Sequence, residues 1–406
     1  MNFVFLCDYL HPNYGYQEFH LAEELSKHKE CNNVSIITSD RYYPFRNFKF
    51  HKNILGKRIH QKKFEEINGV KIFYYRPLIE KFSRLIPSLK FFKLFSKQKI
   101  DICFSHSSTS FNSIILLIFS RFTPFKLMVD CHMHYSAKKN NISNKIFYFF
   151  IKLINKYLAS RKVIYLGVTK ESCDFLNREE GVNKKQIKLL PIGFANKFFF
   201  VPNNFKDFKE NFNKVRKHLK ISNNQILIIQ TGKLSHDKRP DLTIKASNYE
   251  LKRKKGTILY IGPHSKDEKN NLKKLFSKKT YKSWDLIFKK NINVCDLNKY
   301  FLAADLLSFP GGASLSCIEG AASGCKSIVA FSLEGINRSK LGIVSVPNDD
   351  DDLSFVGLIK KEIKKIDYQK NNLLENYKNS KKLENLVKNM SYKEVSNLLI
   401  NFCKSI

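Results

Sequence analysis

The chain has 406 residues and a mass of 47.5 kDa, which exceeds the usual size of one domain and predicts two. Hydrophobic residues make up 43% of the chain and aromatic residues 13%, which excludes a mainly disordered protein. Lysine and arginine total 71 against 36 acidic residues. The resulting net charge of +35 favours anionic partners but does not choose among nucleic acid, acidic lipid and phosphorylated small molecules.

The cysteines and the apolar runs indicate in which cellular compartment the protein is expected. The nine cysteines are scattered and form no CxxC pair, which argues against a disulfide framework or a zinc site. The first apolar run, residues 3–7, reads as a buried strand and not as a signal peptide. No run reaches the roughly 18 apolar residues that a spanning helix needs. The sequence therefore predicts a cytoplasmic protein.

Short apolar runs alternate with amphipathic segments in the first half of the chain. Strands are predicted at 2–8, 34–39, 70–76, 100–106, 126–131, 163–169 and 187–192. Helices are predicted between several of them, including 16–28 and 143–158. Nearly continuous apolar strands that alternate with helices indicate a parallel sheet covered on both faces.

The polar stretch 196–222 interrupts this pattern, which then restarts. Further strands are predicted at 225–230, 256–261, 285–289, 305–309, 327–331 and 342–346, followed by lysine-rich helix from about residue 353. The predicted fold is α/β, with two Rossmann-like domains at 1–205 and 206–385. A C-terminal helix, 386–406, is expected to pack back on the first domain. Ligands of such sheets bind beyond the carboxyl ends of the strands, so a cleft between two facing domains is the expected site.

The segment 305–331 is the most informative for chemistry. A strand ends before Gly311 and Gly312, which would let the backbone approach a ligand. The amides of Ser314 and Leu315 would then lie at the positive end of a helix and could bind phosphate. Glu319, one turn further on, could accept the paired hydroxyls of a ribose. The alternative is a glycine turn followed by a solvated glutamate.

Two other strand ends carry candidate residues. Lys233 and Lys238 bracket a turn after the strand 225–230, and two cations there suit a diphosphate. Lysine is so abundant in the chain that chance also explains the pair. Gly15, near the start of the first helix, could admit a sugar or a phosphate, or could simply be a turn residue. Its surroundings do not match GxGxxG, so a dinucleotide fingerprint is not supported.

The motif DCHMH at 130–134 raises the question of a metal. His132 and His134 alternate and could face one side of the chain, but the sequence offers no obvious third ligand. A polar contact between His132 and a substrate is therefore favoured, and no metal is expected. Nucleic acid is not an expected partner either, because zinc-finger, RNP-type and basic-zipper motifs are missing.

Five segments, taken in order, resemble family 4 glycosyltransferases of the GT-B architecture over nearly the whole chain. They are residues 11–40, 65–77, 167–199, 231–246 and 309–330. The first contains the Gly-rich loop, the helix and the second strand. The fourth resembles the phosphate-binding strand, turn and helix of that family, and the fifth resembles its Glu-x7-Glu region.

The resemblance implies two Rossmann-like domains facing a central cleft, a nucleotide-sugar donor, retention of anomeric configuration and no required cofactor. Glu319 matches the second Glu of Glu-x7-Glu and would hold the donor ribose. Lys233 and Lys238 match the Arg and Lys that neutralise the diphosphate, and Lys238 would also act in catalysis. Gly15 would face the donor, and His132 would contact the sugar near the point of transfer. The amides of Ser314 and Leu315 would complete the phosphate site, beside Gly311 and Gly312.

Two departures concern the donor. Gly311 stands where the family has its first Glu, so the usual contact with the sugar hydroxyls is missing. Lys233 replaces an Arg, which keeps the charge but loses bidentate geometry. The expected activity is transfer to a glycan or lipid-linked acceptor, in cell-envelope polysaccharide or lipopolysaccharide synthesis. The alternatives are a nucleotide-sugar epimerase of the same fold and an inactive basic scaffold at a membrane surface.

Two basic and aromatic segments bear on membrane binding. Residues 81–100 carry six cations and no acid, interleaved with Phe and Leu, and residues 145–158 have the same character. Amphipathic segments of this kind bind anionic bilayers. They predict peripheral attachment to the cytoplasmic face of a membrane, although an aromatic stripe of this kind also suits a protein core.

Overall fold

The computed structural model describes residues 1–12, 17–44, 56–81, 84–135, 138, 140–279, 282–290, 292–369 and 372–404. The chain forms two compact units. The first contains Met1–Gly193 and Tyr392–Ile406, and the second contains Phe194–Ser391. The first division therefore comes earlier than the boundary expected after residue 205, and the second comes later than the boundary expected after residue 385.

The first unit is built on an eight-stranded sheet. Its strands, with a separate two-stranded hairpin (β5 and β6), are β1 (Asn2–Cys7), β2 (Asn33–Ser39), β3 (Phe64–Ile67), β4 (Val70–Tyr75), β5 (Ile79–Lys81), β6 (Arg84–Ile86), β7 (Ile102–Ser105), β8 (Lys126–Cys131), β9 (Ile164–Gly167) and β10 (Ile187–Leu189). The strand order in the sheet is β10-β9-β8-β7-β1-β2-β4-β3. Neighbours run parallel except β3, which pairs antiparallel with β4 at the edge.

Helices cover both faces of this sheet. They are α1 (Gln17–Ser26), α2 (Leu89–Ser96), α3 (Phe111–Phe119), α4 (Ile142–Leu153) and α5 (Lys170–Arg178). The last turn of α4 continues as π-helix, Ile154–Leu158. Because side chains alternate along a strand, Phe3 and Phe5 join the core on one face of the sheet while Val4 and Leu6 join the core on the other.

The second unit has a six-stranded parallel sheet. Its strands are β11 (Ile226–Thr231), β12 (Gly256–Ile261), β13 (Trp284–Lys289), β14 (Leu306–Phe309), β15 (Ser327–Val329) and β16 (Val344–Ser345), in the order β13-β12-β11-β14-β15-β16. Its helices are α6 (Phe205–Leu219), α7 (Pro240–Ala246), α8 (Lys266–Lys279), α9 (Val294–Ala303), α10 (Leu315–Ala322), α11 (Leu333–Lys340), α12 (Asp352–Tyr368) and α13 (Leu373–Val387). The predicted α/β class is confirmed in both units.

Helix α6 lies within the stretch that the sequence treats as an interruption. Phe208, Phe212, Val215 and Leu219 are buried at helical spacing, although charged residues surround them in the sequence. Arg216 is 1% exposed and donates hydrogen bonds to carbonyl oxygens that include that of Ala303. The interruption of the sequence pattern at 196–222 therefore contains a helix that is an integral part of the second unit.

The final helix, α14 (Tyr392–Lys404), belongs to the first unit. Val395, Leu399, Ile400 and Cys403 are buried in the core that also contains residues of α1. Among the described residues, no helix combines the length and the apolar character that crossing a membrane requires.

Candidate functional site

Each sheet reverses its direction of growth at one point. In the first unit the reversal lies between β1 and β7, and in the second it lies between β11 and β14. Ligands of open parallel sheets bind outside the carboxyl ends of the strands at such points. The predicted residues 233, 238 and 311–315 all follow β11 or β14, so the second sheet places them at its reversal point.

The loop after β14 packs directly against the turn after β11. A Cβ atom added to Gly311 would lie 2.7 Å from Cα of Lys238 and 2.9 Å from the carbonyl oxygen of Asp237. This contact brings Lys238 beside the loop that leads into α10. It also explains why glycine stands at the position of the expected Glu, because any side chain there would displace the turn.

Two further glycines shape the same edge. A Cβ atom on Gly262, at the end of β12, would lie 2.0 Å from the carbonyl oxygen of Gly232, so the ends of β11 and β12 approach each other closely. Gly232 and Gly312 have φ of 107° and 100°, and nothing lies within 4 Å of the position that a Cβ atom would occupy on either. The backbone is therefore open to a ligand at both places.

The two candidate lysines of this edge are available to an anion. Lys233 and Lys238 are exposed, and neither forms an ion pair with another residue in the part of the chain that the structure describes. Arg239, the next cation in the sequence, is different because its guanidinium pairs with the carboxylates of Asp241 and Asp352.

The amino end of α10 is fixed by a residue that sequence reasoning missed. Ser314 is the N-cap residue and its side chain accepts no capping hydrogen bond, while the first amides of a helix have no intrahelical acceptor. Arg338 of α11 is 8% exposed and donates from Nη1 to the carbonyl oxygen of Ser314 at 2.5 Å. Its Nε also donates to Glu334 at 2.8 Å. The amides of Ser314 and Leu315 are thereby held at the expected place.

Glu319 lies one turn into α10 and is partly buried. Burial raises its pKa to about 7, although a hydrogen bond from Ser316 acts in the opposite direction. A carboxyl group in this state can both accept and donate hydrogen bonds near neutral pH. That capacity suits a pair of hydroxyls.

A second cluster of polar residues lies at the reversal point of the first sheet. His106 follows β7, Asp130 is the last residue but one of β8, His132 follows that strand, and Glu18 lies in the first turn of α1. Nδ1 of His106 is 2.5 Å from Oε1 of Glu18 and 3.0 Å from Oδ2 of Asp130. Nε2 of His132 is also 3.0 Å from Oδ2 of Asp130. The other oxygen of Asp130 accepts the amide of Ser107 at 2.6 Å.

The charges of this cluster stabilise one another. Burial lowers the pKa of His106, but the negative charges of Asp130 and Glu18 outweigh it and hold that pKa well above its ordinary value. Burial raises the pKa of Asp130, but His106 and His132 outweigh it and hold that pKa far below its ordinary value. Burial also raises the pKa of Glu18, but the charge of His106 and its hydrogen bond outweigh burial, so that the pKa of Glu18 is lowered. The cluster therefore favours the charged forms of His106, Asp130 and Glu18 over their neutral forms.

The same four residues bear on the question of a metal. One ligand atom from each of Glu18, His106, Asp130 and His132 lies within 4.8 Å of the others, and imidazole with carboxylate is a donor set that Zn²⁺ accepts. The structure thus supplies the further ligands that the sequence does not reveal. Hydrogen-bonding distances already link these four residues to one another. The expectation of no metal stays a prediction.

The structure separates the two histidines of DCHMH. His134 lies 3.4 Å from the carboxylate of Glu171, whereas His132 lies on Asp130. Gly15 lies outside the described residues, so its role stays a prediction. Sequence reasoning missed Glu18, His106 and Asp130 as functional residues. Their positions could have indicated them, because His106 and Asp130 lie at the carboxyl ends of predicted parallel strands and Glu18 lies at the start of the first helix.

Comparison with known proteins shows the fold. No protein-family model matches the chain, and no curated protein matches it. Among solved structures, the chain is similar to the HepE protein (Alr3699) of Anabaena in complex with UDP and glucose, with a TM-score of 0.65, 13% identity and 100% of both chains covered. It is similar to the sucrose-phosphate synthase of Thermosynechococcus elongatus, with a TM-score of 0.70, 12% identity and coverage of 100% of this chain and 98% of that one. It is also similar to WaaG, a glycosyltransferase involved in lipopolysaccharide biosynthesis, with a TM-score of 0.65, 11% identity and 100% of both chains covered.

These matches extend over the whole chain and over both Rossmann-like units. The expected GT-B fold is confirmed. At 11–13% identity the likeness is one of fold, and what the chain does has to be argued from its own residues.

Proposed function

We propose that this protein is a retaining glycosyltransferase that moves a sugar from a nucleoside-diphosphate-sugar donor to a glycan or lipid-linked acceptor. The observation that carries the proposal is the arrangement around Gly311. There the unpaired Lys238 meets the loop that leads to the amino end of α10, at the reversal point of a parallel sheet. This combination of positive charge, free amides and open backbone suits a diphosphate.

The chemistry of sugar transfer explains why such a site would be catalytic. The departing diphosphate gains negative charge in the transition state, while the sugar gains oxocarbenium character. Fixed cations and helix-end amides stabilise that charge without a metal, so we expect transfer to continue in the presence of a chelator. A phosphate oxygen of the leaving group would accept the acceptor's proton, and no enzymic nucleophile is needed.

The structural neighbours favour the same chemistry. HepE was solved with UDP and glucose, and WaaG is involved in lipopolysaccharide biosynthesis. Together with the strongly basic composition, they support an acceptor of the cell envelope, either a polysaccharide or a lipopolysaccharide precursor.

Calorimetry with UDP, GDP, ADP and CDP tests the donor site. We expect one or more of these nucleotides to bind, and Lys238→Ala to weaken that binding by about 10- to 150-fold, because a hydrogen bond to a charged group contributes about 1.5–3 kcal/mol. Lys273→Ala is the matched control, since this exposed lysine of α8 removes the same charge elsewhere in the unit. Binding of none of the four nucleotides would favour the inactive scaffold instead.

Product analysis separates transfer from epimerisation. A transferase should release nucleoside diphosphate and form a new glycosidic bond whose anomeric configuration, read by NMR, matches that of the donor. Recovery of an isomerised nucleotide sugar with no acceptor product would identify the epimerase. A product of opposite configuration would contradict retention.

We also propose that the first unit attaches to an anionic bilayer through the outer face of α4 and its π-helical extension. Ile142, Ile146, Phe149, Leu153 and Tyr157 recur at helical spacing and are 36–75% exposed. The opposite side of the helix is buried at positions such as 148 and 151. The exposed apolar residues therefore form a continuous stripe and are not core residues.

Charge around this stripe selects an anionic surface. Lys145, Lys152 and Lys156 are exposed along one border of the stripe, and residues 142–158 contain no acidic residue. Arg121 donates to the carbonyl oxygen of Tyr157 at 2.6 Å, which brings the exposed Phe122 close to the same end. Such a face favours anionic lipid through both apolar burial and charge. The segment 81–100 contains β6 and the eight-residue helix α2, in which Phe91 is buried while Leu89 and Phe92 are exposed, and its part in membrane binding stays a prediction.

Liposome flotation tests this surface. At physiological salt we expect the protein to float with phosphatidylglycerol vesicles and much less with phosphatidylcholine vesicles. Replacing Ile146, Phe149 and Phe150 by serine should abolish flotation. The matched control replaces Leu333, Leu341 and Leu353, exposed leucines of the second unit, by serine and should float normally. Equal flotation of both triple variants would contradict the proposed face.

A further inference from the structure

A cleft lined by cations, here called the basic cleft, lies at the amino edge of the first sheet, opposite the edge that carries His106 and Asp130. It has a volume of about 730 Å³ and is bordered by the residues that lead into β9 and β10. Four cations line it, whereas no acidic residue does so in the part of the chain that the structure describes. The cations are Arg121, Lys156, Arg161 and Lys185. Ligand sites in proteins usually have volumes of about 300–1,000 Å³, so the basic cleft is large enough for a small anionic group.

Side-chain hydrogen bonds hold together the three segments that form the basic cleft. Gln186 donates from Nε2 to the carbonyl oxygen of Ser160 at 3.2 Å, and the amide of Ser160 donates to Oγ of Ser120 at 2.7 Å. Nδ2 of Asn155 donates to the carbonyl oxygen of Glu180 at 2.8 Å. The walls of the basic cleft are therefore fixed by the fold of the first unit itself.

The cations of the basic cleft are available to a ligand. All four side chains are exposed, and none of them forms an ion pair with another described residue. Arg121 donates from Nη2 to the carbonyl oxygen of Tyr157 at 2.6 Å, which occupies one of the five donors of its guanidinium. Arginine and lysine both bind phosphate oxygens, and arginine can do so through two parallel hydrogen bonds. Positive charges gathered here without an acidic residue therefore favour a phosphate ligand.

The basic cleft adjoins the face proposed above to bind the bilayer. Lys156 belongs to both, because it lies in the π-helical extension of α4 and also lines the cleft. Tyr157 and Leu158 of the same extension are 56% and 44% exposed. Phe122, next to Arg121 in the sequence, is 83% exposed. A lipid joins a phosphate to apolar chains and would use both features at once, whereas a free phosphate would use only the charge.

We propose that the basic cleft binds the phosphate groups of an anionic lipid headgroup, an inference that rests on the proposed attachment of the first unit to a bilayer. Attachment through the apolar stripe needs only a negatively charged surface, whereas the basic cleft needs a headgroup that enters it. Four cations in one cleft can contact more than one phosphate. A headgroup with two linked phosphates is therefore the preferred ligand, because binding of the first phosphate holds the second close to the remaining cations.

Vesicle sedimentation with cardiolipin, which carries two linked phosphates, tests the basic cleft. Phosphatidylcholine vesicles containing cardiolipin are compared with vesicles containing phosphatidylglycerol at equal anionic phosphate, so that the two surfaces carry the same charge. At physiological salt we expect wild-type protein to bind the cardiolipin vesicles about 5- to 30-fold more tightly. Each cation near an anionic surface contributes about fivefold in affinity, and the second phosphate engages one or two further cations.

A double variant separates the basic cleft from the apolar stripe. Arg161→Gln combined with Lys185→Gln changes two cleft residues that lie outside α4 and its extension. We expect this variant to bind both kinds of vesicle alike. Lys29→Gln combined with Lys63→Gln is the matched control, because it removes two exposed cations elsewhere in the first unit and should keep the preference for cardiolipin.

The outcomes distinguish the basic cleft from membrane attachment as such. If wild-type protein binds both vesicles equally, or if the double variant keeps the preference, the basic cleft is not a headgroup site, although attachment stands. Binding to neither vesicle would overturn attachment and the headgroup site together. Inorganic pyrophosphate, added at the concentration of the anionic lipid, should leave binding to cardiolipin vesicles unchanged. Loss of the cardiolipin preference in its presence would make the basic cleft a site for a free anion and overturn the assignment to lipid.

Discussion

The two sheets place candidate functional residues at equivalent points of their topology, but these residues differ in whether they have charged partners within the protein. At the reversal point of the first sheet, His106 lies at hydrogen-bonding distance from the carboxylates of both Glu18 and Asp130. At the reversal point of the second sheet, Lys233 and Lys238 form no close ion pair with a described residue, although Asp237 lies near enough to interact with both charges. The first arrangement is complete within the protein, whereas the second is complete only with an anion.

This difference teaches what each region can do. A charge network that is satisfied internally restricts the orientation of its members, as the contact with Asp130 does for His132. A region with free cations, free helix amides and glycines next to open space can bind charge that develops on a ligand. Polar residues at the carboxyl edge of a sheet are therefore better candidates for ligand binding when the protein itself supplies no close partner of opposite charge.

Breaking the backbone packing of the second region should have the largest effect. In Gly262→Ala the added Cβ would meet the carbonyl oxygen of Gly232 at 2.0 Å, and φ of 148° disfavours a side chain as well. We expect a loss of about 3 kcal/mol in the free energy of unfolding, at the upper end of the usual cost of overpacking, measured by urea denaturation. Nucleotide binding should also weaken, because the ends of β11 and β12 must separate.

Gly357→Ala is the control for this prediction. Gly357 lies within α12 with nothing within 4 Å of its Cβ position, so alanine should be neutral or stabilise the protein by up to about 1 kcal/mol. Similar urea midpoints for the two variants would show that the close approach of the strand ends does not exist.

Local sequence pattern accounts for most of the sheet architecture. Apolar runs predicted the parallel strands of both sheets within a few residues, because a strand buried on both faces has no other composition available. They did not predict the largely exposed edge strand β3. The same reasoning did not predict helix α6. Its apolar residues form one face of the helix, but in the sequence they are separated by lysines, asparagines and the buried Arg216. The position of α14 in the first unit was expected only from the resemblance.

The candidate site divides along a similar line. Lys238, Ser314 and Glu319 were found because each follows a strand or begins a helix within one short segment. Glu18, His106 and Asp130 are far apart in the sequence, and only the strand order of the sheet brings them together. The reason for glycine at Gly311 could not be read from sequence either, because it depends on a contact with a different loop.

Two carboxyl groups, the partly buried Glu319 and the fully buried Glu180, extend the comparison with an effect of intermediate size. Burial raises the pKa of Glu319 and of Glu180 to about 7, against hydrogen bonds that lower it. With an ordinary value of 4.5 in the unfolded chain, each group favours the folded state fully below pH 4.5. That contribution is lost as the pH rises through about 7, where both groups ionise.

Replacing either residue by glutamine should remove this loss. At pH 8 we expect Glu319→Gln and Glu180→Gln each to gain about 1–2 kcal/mol in unfolding free energy over wild type, and at pH 4.5 to gain nothing, because one pKa unit corresponds to about 1.4 kcal/mol. Only Glu319→Gln should weaken nucleotide binding in calorimetry. Wild-type nucleotide affinity in Glu319→Gln would remove this residue from the donor site.

The smallest expected effect concerns Arg338, which contacts the amino end of α10. Arg338 holds the carbonyl oxygen of Ser314 through Nη1 while its Nε pairs with Glu334, a two-sided contact that the single ammonium of lysine cannot reproduce. Arg338→Lys should therefore lower nucleoside-diphosphate affinity about fivefold, or about 1 kcal/mol, without touching the nucleotide. Arg253→Lys, an exposed arginine of the same unit that stacks on Tyr368, should bind as wild type does. If Arg338→Lys binds nucleoside diphosphate with wild-type affinity, the contact between Arg338 and Ser314 is not needed to position the amino end of α10. The glycine contacts described above would then be what positions this region.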